Sequence, residues 1–355
     1  MDPIALLKAE IYNDDIEVVL GALRRLESIG LALGASRCRK ELLPLLVEYS
    51  GAAEAIEALS SQAASSGADG ASSPSRSAKH SSGPANQLHT DRVIPDEALA
   101  VMGEHMGLLS GPALGVGASV LMPLLEVLTA KDETCVRDAA VKGIQTIIAN
   151  VDTTQLSEVV LPVVQRMAAN DWFPSRCSTA ALLAPLYEKI KNEQDESTIR
   201  TLMTSLCKDD TPMVRRAAFV DLPKLCAAVG ADMLRADLIQ SLRALVEDEQ
   251  DQVRIYIVDC SLAIAKSVDE LNCKEIAVPL IEEASADTSW RVRRHLVRFP
   301  YDILTIDRYR HHHHYYHHHH YHHHHCSHNC FDRLAIWMKS SRQWAKVLDP
   351  PQFSH

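Results

Sequence analysis

The sequence predicts an all-α fold, a solenoid in which two antiparallel helices recur every 39 residues along a right-handed superhelical arc. Three observations predict it. First, Arg137, Arg176, Arg215, Arg254 and Arg293 stand 39 residues apart. Each closes a turn that opens on an acid: Asp132-Glu-Thr-Cys-Val-Arg137, Asp171-Trp-Phe-Pro-Ser-Arg176, Asp210-Thr-Pro-Met-Val-Arg215, Asp248-Glu-Gln-Asp-Gln-Val-Arg254 and Asp287-Thr-Ser-Trp-Arg-Val-Arg293. Second, a landmark in the same register lies 14 residues before each arginine: Pro123, Pro162, Thr201, Gln240 and Pro279. Two independent landmarks rarely share a period by chance. The third observation is composition. Aromatics are 5% of the 355 residues, and the 14 glycines make about 4%, where roughly 7% is usual. Such a chain suits packed helices rather than sheets.

The first two repeats are present in weaker form. Asn13-Asp-Asp-Ile-Glu-Val-Val19 has the turn but Val19 in the arginine's place, and Glu41-Leu-Leu-Pro-Leu-Leu46 opens the second repeat. The second helix of that repeat is expected over Asp96–Leu109. Terminal repeats are often atypical because one face lacks a neighbour. Between these helices, from about residue 50 to 92, no aromatic follows Tyr49, and residues 60–82 hold ten Ser in 23. This composition predicts a disordered insertion. Ser72-Ser-Pro74 and Ser77 are phosphorylation candidates there, against the plainer reading of a Ser-rich linker.

In the third repeat Gly115-Val-Gly117 lacks the third glycine and preceding strand of a dinucleotide fingerprint, so it reads as a loop ahead of a helix at Val120. The second helix of the repeat is expected over Val136–Ala149. In Leu156–Met167 apolar residues fall at 156, 159, 160, 163, 164 and 167, one face of a helix. Asp171 to Pro174 makes the turn with Asp171 as N-cap, and a helix runs from near Ser175 to about Ile190. Its counterparts are Val214–Val229, Val253–Val268 and Val292 onward. Two helices per repeat, with proline inside the first and acid-then-arginine at the second, favour a HEAT over an armadillo array, expected across residues 1–293.

The remainder, 294–355, departs from this register. Pro300 breaks the expected helix, and twelve of the 18 His lie in His311–His325, interrupted only by Tyr315, Tyr316 and Tyr321. His and Tyr codons differ only at the first base, so the tract reads as a slipped trinucleotide repeat. The tail is expected to be disordered or an artefact of the gene model: a translated intron, a frameshift or a truncation. With Cys326-Ser-His328-Asn-Cys330 it offers imidazole and thiolate without defined geometry, so no metal and no cofactor is expected.

Charge and motifs exclude further classes. Lys+Arg 36 against Asp+Glu 46 gives a net −10, which argues against a nucleic-acid partner. Lacking both a run of eighteen apolar residues and a secretory leader, the chain is expected to have no membrane partner. Its nine scattered Cys read as reduced, mostly buried thiols of a cytosolic or nuclear protein. Met102, Met106, Met122, Met167, Met203 and Met233 read mostly as core filling. His-Glu-x-x-His, Gly-x-Ser-x-Gly and Gly-x-x-x-x-Gly-Lys-Ser/Thr are missing, so no enzyme activity and no catalytic residue is expected.

Five segments carry a resemblance to a known family: Glu41-Leu-Leu-Pro-Leu-Leu46, Asp171-Trp-Phe173, Asp209-Asp-Thr-Pro-Met-Val-Arg-Arg-Ala-Ala218, Asp248-Glu-Gln-Asp-Gln-Val-Arg254 and Ser289-Trp-Arg-Val-Arg293. In order, spacing and turn sequence they resemble the scaffold (A, 65 kDa regulatory) subunits of serine/threonine protein phosphatase 2A, from about Pro3 to Arg293. The resemblance implies a non-catalytic HEAT-repeat horseshoe. Its amino-terminal repeats hold a regulatory B-type subunit and its carboxy-terminal repeats the catalytic subunit, both through intra-repeat turns. Carried onto this chain, the B-subunit candidates are Trp172, Phe173, Thr211, Pro212, Met213, Arg215, Arg216, Asp251, Gln252, Ser289 and Trp290. The chain departs from the family in its Ser-rich insertion, in the missing arginines of the first two repeats, and in the end of the match just after Arg293. The catalytic subunit is therefore implied as a partner only for a chain carrying the missing carboxy-terminal repeats. The alternative is another HEAT adaptor, such as a nuclear-transport receptor-like protein; the turn around Pro212 separates the two.

The arginine ladder has two readings. Each Arg can pair with the acid five or six positions before it, or in the adjoining repeat, and so set the stagger between repeats. It can also meet a partner's carboxylates. Recurrence in every repeat favours the structural role for Arg137, Arg176, Arg215, Arg254 and Arg293, and leaves Arg216, outside the ladder, as the partner contact. Trp172, Phe173 and Trp290 lie in turns, where an interface anchor is the better reading than a cover for the inter-repeat seam.

Overall fold

The structure, a computed structural model, describes residues 2–65 and 94–298, and the regular structure among them is helical. Internal contacts divide the chain into two compact units, Met1–Val164 and Gln165 onward.

The first unit contains α1 (Pro3–Ile11), α2 (Ile16–Leu23), α3 (Leu26–Arg37), α4 (Leu43–Ser50), α5 (Ala53–Ser65), α6 (Asp96–Met106), α7 (Ala118–Leu128) and α8 (Thr134–Asn150). Helix α1 packs on α2, α2 and α3 on α6, and α6 and α7 on α8. Leu7, Leu23, Leu26, Met102, Met106, Leu121 and Ile144 are fully buried between them. Around α6 and α8 the backbones themselves meet. A Cβ on Gly143 would overlap the carbonyl oxygen of Gly103, and one on Gly107 would overlap that of Gly143. Only glycine permits so close an approach.

The expected loss of structure from about residue 50 does not begin there. Ala53–Ser65 is helical and packs on α7. The segment AEAIEALSSQAAS is rich in alanine with interspersed Glu and Leu, and its helix propensity outweighs the serines that dominate further on. Residues 66–93, with Ser72 and Ser77, lie outside the described residues, as do 299–355 with the His/Tyr tract and Cys326 and Cys330.

The helix Leu161–Ala168 (α9) contains the boundary between the units. Beyond it come α10 (Phe173–Lys189), α11 (Glu193–Cys207), α12 (Pro212–Ala228), α13 (Ile239–Val246), α14 (Asp251–Arg254), α15 (Tyr256–Ser267), α16 (Val278–Ala286) and α17 (Trp290–Leu296). The second helices of successive repeats form one layer, α10 on α12 on α15, and the first helices α11 and α13 pack in the other. Val214, Val253 and Val292, each one residue before a ladder arginine, are at most 2% exposed. They seat each second helix in the core.

Two details of the repeat differ from expectation. Four of the first helices are not regular: Cys38–Leu42, Leu156–Val160, Leu234–Leu238 and Cys273–Ala277 form wide π-turns, each ending two residues before Pro44, Pro162, Gln240 and Pro279 respectively. Proline lacks an N–H and its ring crowds the carbonyl four residues back, so a widened turn accommodates it. The π-turn also occurs before Gln240, whereas α7 with Pro123 and α11 with Thr201 lack one, so the proline alone does not set it. Second, the helices begin at Phe173, Pro212, Asp251 and Trp290, earlier than the apolar pattern placed them, because the residue six before each arginine organises the turn.

Of the described cysteines, Cys38, Cys207, Cys226, Cys260 and Cys273 are buried, Cys177 is half-buried and Cys135 is exposed; none of them is in a disulfide. Burial pushes the Cys226 thiol up to about 12. Met102, Met106, Met122, Met167 and Met203 fill the core, whereas Met233 is exposed at the short turn before its π-segment.

Candidate functional site

The turns of the second unit share one construction. The residue six before each arginine, Asn170, Asp209, Asp248 or Asp287, folds its Oδ1 back onto the N–H two residues on, at 2.8, 2.8, 2.9 and 2.7 Å respectively. These are Asx turns. Asp171, expected as the N-cap, is exposed and caps nothing: the N-cap of α10 is Trp172, without a side-chain cap, and Asn170 supplies the Asx turn before it.

Each arginine holds its own turn through backbone carbonyls rather than through the acid five residues before it. Nη1 of Arg176 donates to Asn170 O and Asp171 O at 2.8 and 3.0 Å, and that of Arg215 to Asp209 O and Asp210 O at 3.0 and 3.2 Å. Arg254 and Arg293 repeat the pair on Asp248 O and Glu249 O, and on Asp287 O and Thr288 O. In the first unit Arg137 donates likewise to Lys131 O and Asp132 O, at 2.7 and 2.5 Å.

The carboxylate partner comes from the next repeat. Nε of Arg176 meets Asp209 Oδ2 at 2.7 Å, Arg215 meets Asp248 at 2.7 Å, and Arg254 meets Asp287 at 2.8 Å. The hydrogen bonds that Arg176, Arg215 and Arg254 donate to Asp209, Asp248 and Asp287 respectively raise the pKa of each arginine. At Asp209 burial opposes ionisation, but the bonds from Arg176 and Thr211 prevail and hold the carboxyl below its ordinary value. Because the Arg215 and Asp248 side chains are only 18% and 4% exposed, loss of either partner strands a buried charge.

The remaining turn residues separate into two sets. Thr211, Asp251 and Ser289 are engaged within the chain. Thr211 Oγ1 accepts from Arg176, and Asp251 Oδ2 accepts from Ser289 Oγ at 2.9 Å and Arg291 Nη1 at 3.1 Å. These bonds, that from Ser289 foremost, lower the Asp251 pKa. Trp172, Phe173, Pro212, Met213, Arg216, Gln252 and Trp290 face solvent. Trp172, Met213 and Trp290 are 48%, 56% and 46% exposed. The Trp172 and Phe173 rings lie 5.6 Å apart. Arg216 makes no hydrogen bond or ion pair among the described residues. Arg291 and Arg294 lie 5.8 and 5.7 Å from the Trp290 ring centroid, a cationic frame around an exposed aromatic.

Sequence reasoning missed Arg291 and Arg294, although the run Trp290-Arg-Val-Arg-Arg294 carries the signal. It also missed Arg200, which is 2% exposed and donates to Asp237 at 2.5 Å, Tyr187 OH at 3.2 Å and Glu193 at 3.1 Å. Leu161, Ile239 and Val278 occupy the equivalent positions of other repeats, so no register marks it.

A family model described as "PIK3R4-like, middle domain" matches residues 121–304. Among curated proteins, the chain is 30% identical over 308 residues to the regulatory A subunit of protein phosphatase PP2A from Saccharomyces cerevisiae, covering 82% of this chain and 41% of that one. It is 31% identical over 283 residues to the probable regulatory subunit of serine/threonine-protein phosphatase PP2A from Caenorhabditis elegans, covering 78% and 40%. To the beta isoform of the 65 kDa regulatory A subunit of serine/threonine-protein phosphatase 2A from Homo sapiens it is 32% identical over 232 residues, covering 65% and 31%. The chain thus spans about two fifths or less of these relatives' lengths. Among solved structures, Cex1p aligns at a TM-score of 0.40 and 14% identity, covering 81% of this chain and 52% of that one.

Proposed function

Because the chain belongs to the PIK3R4-like middle-domain family and its curated homologues are regulatory A subunits of protein phosphatase 2A, we propose that it is a non-catalytic scaffold whose second unit holds a regulatory B-type subunit on its turns. The family description names no activity, and the phosphatase relatives align over more of the chain, so the relatives direct the reading. One observation carries it. Beside half-buried ladder arginines that recur every 39 residues, the same turns expose Trp172, Met213, Arg216 and Trp290. Exposed aromatics and arginines of this kind are the usual anchors of protein interfaces.

The scaffold acts by position. Trp172, Phe173, Met213 and Trp290 supply apolar contact, Pro212 and Gln252 extend it, and Arg216 offers five donors in a fixed plane to a carboxylate. Arg215, Thr211, Asp251 and Ser289 hold the turns that present them. The catalytic subunit enters the proposal only for a chain with further carboxy-terminal repeats, and the proposed place of action is the cytosol and nucleus.

Affinity capture of the full chain from a cell lysate, followed by phosphatase assay and immunodetection of B-type subunits, tests this reading. Recovery of a B-type subunit that falls when Trp290 or Arg216 is changed to alanine is the expected result. Capture of transport cargo without any phosphatase subunit favours the nuclear-transport alternative, and turnover by the chain free of phosphatase overturns the non-catalytic reading.

A further inference from the structure

The second helices α12 and α15 pack side by side, and along their exposed face runs a groove of about 610 Å³. Pro223 and Ala227 on α12 and Leu262 and Ala263 on α15 form its floor. A hollow of about 230 Å³ on the α10 side shares Ala227 with it. Beside the floor one large apolar side chain stands uncovered: Val220, one turn before Pro223, is 42% exposed. Val220, Pro223 and Ala227 fall at i, i+3 and i+7, a single face of α12. The repeat does not require an apolar face here. At the positions of Val220 and Ala227, 39 residues to either side, α10 carries Ala181 and Glu188, and α15 carries Asp259 and Lys266.

The charges around this floor are mostly of one sign. Lys191, Arg216, Lys224 and Lys266 are exposed. Of the carboxylates beside them, Asp221 is buried and accepts from Lys224 Nζ at 2.6 Å, and Asp259 is half-buried 3.0 Å from His295 Nε2. Glu188 is exposed. Among the described residues, a ligand in the groove thus meets four exposed cations and one exposed carboxylate, in a chain of net charge −10. The shape of the ligand follows from the walls. An extended segment gains its affinity from main-chain bonds, and two helices have already spent most of their backbone groups internally. A helix needs only a floor of small residues to receive its apolar side chains.

We propose that the groove between α12 and α15 is a docking site for an acidic amphipathic helix of a second protein. The helix lays its apolar face on Pro223, Ala227, Leu262 and Ala263, and carboxylates along its edges face Lys191, Arg216, Lys224 and Lys266. The inference concerns this helix face rather than the turn ridge, and it stands whether or not a phosphatase subunit binds that ridge.

The probes are two fluorescent, hydrocarbon-stapled helical peptides with the same leucine stripe, one flanked by glutamates and the other by lysines. Each is titrated into the full-length chain at physiological salt and followed by anisotropy. The glutamate peptide is expected to bind at least about tenfold more tightly, although the net charge of −10 alone would favour the lysine peptide. Ala227→Asp, which sets a carboxylate on the exposed floor, is expected to weaken the glutamate peptide by at least about tenfold. Lys208→Glu, just beyond α11 in the other layer, is expected to leave its affinity unchanged. No binding of the glutamate peptide, equal affinity for the two peptides, or a loss through Lys208→Glu as large as that through Ala227→Asp overturns the proposal. Should Ala227→Asp lose its helical circular dichroism, the two peptides on the unaltered chain still decide the matter.

Discussion

In the first unit α6 and α8 meet backbone to backbone around Gly103, Gly107 and Gly143, whereas in the second α10, α12 and α15 are tied at their turns by Arg176–Asp209, Arg215–Asp248 and Arg254–Asp287. Both devices set the stagger between neighbouring second helices. One does so by steric contact, which ignores pH and salt; the other does so by ion pairs, which do not. The sequence shows why the second device is confined. Its carboxylate position is Lys131 in the turn of Arg137 and Asn170 in the turn of Arg176, and only from Asp209 onward does an acid stand there. Electrostatic stacking therefore coincides with the turns proposed to meet a partner, so that the ion pairs also hold Met213, Arg216 and Trp290 in place.

This contrast is open to direct attack, the largest effect first. Gly143→Ala places a Cβ against the immovable backbone of Gly103, so denaturant unfolding is expected to show a loss of about 3 kcal/mol. A loss below about 0.5 kcal/mol, the range of ordinary surface substitutions, removes steric contact as the first unit's device.

Asp209→Asn comes next. It keeps the Asx turn and removes the acceptor of Arg176, at a cost of about 2 kcal/mol at neutral pH. The Asp209 carboxyl lies lower in the fold than its ordinary 3.8, so its stabilisation is complete above that value and is lost as pH falls through the folded one. The gap between unaltered chain and variant is accordingly expected to begin narrowing below pH 3.8 and to close below the folded value, and a gap that does not narrow as pH falls contradicts the ladder.

The smallest effect is expected at Arg137, whose described bonds go to Lys131 O, Asp132 O and Thr134 Oγ1. Arg137→Ala should cost about 1 kcal/mol, less than Arg176→Ala, in parallel thermal melts.

The repeat and its landmarks were readable because two spacings agreed, and because Val214, Val253 and Val292 follow the same period into the core. The partner of each ladder arginine was not readable. Acids crowd both the fifth and sixth positions before it, and spacing alone cannot tell an own-turn carbonyl from a carboxylate 33 residues on. The helix Ala53–Ser65 was hidden by the serines that follow it. Arg200 was hidden because its four-partner cluster occurs in one repeat alone among the described residues. Within the ridge, the division between free Arg216 and engaged Asp251 depends on which side chains reach each other across repeats, and a single turn sequence does not carry that.

The central claim is that adjacent arginines of one turn have different work, Arg215 holding the stack and Arg216 meeting the partner. Arg215→Ala and Arg216→Ala, measured side by side for thermal midpoint and for capture of a B-type subunit, test it most directly. Arg215→Ala strands Asp248 and is expected to cost about 3 kcal/mol, while Arg216→Ala leaves the midpoint unchanged and weakens capture. Matching thermal midpoints for the two variants would contradict the account.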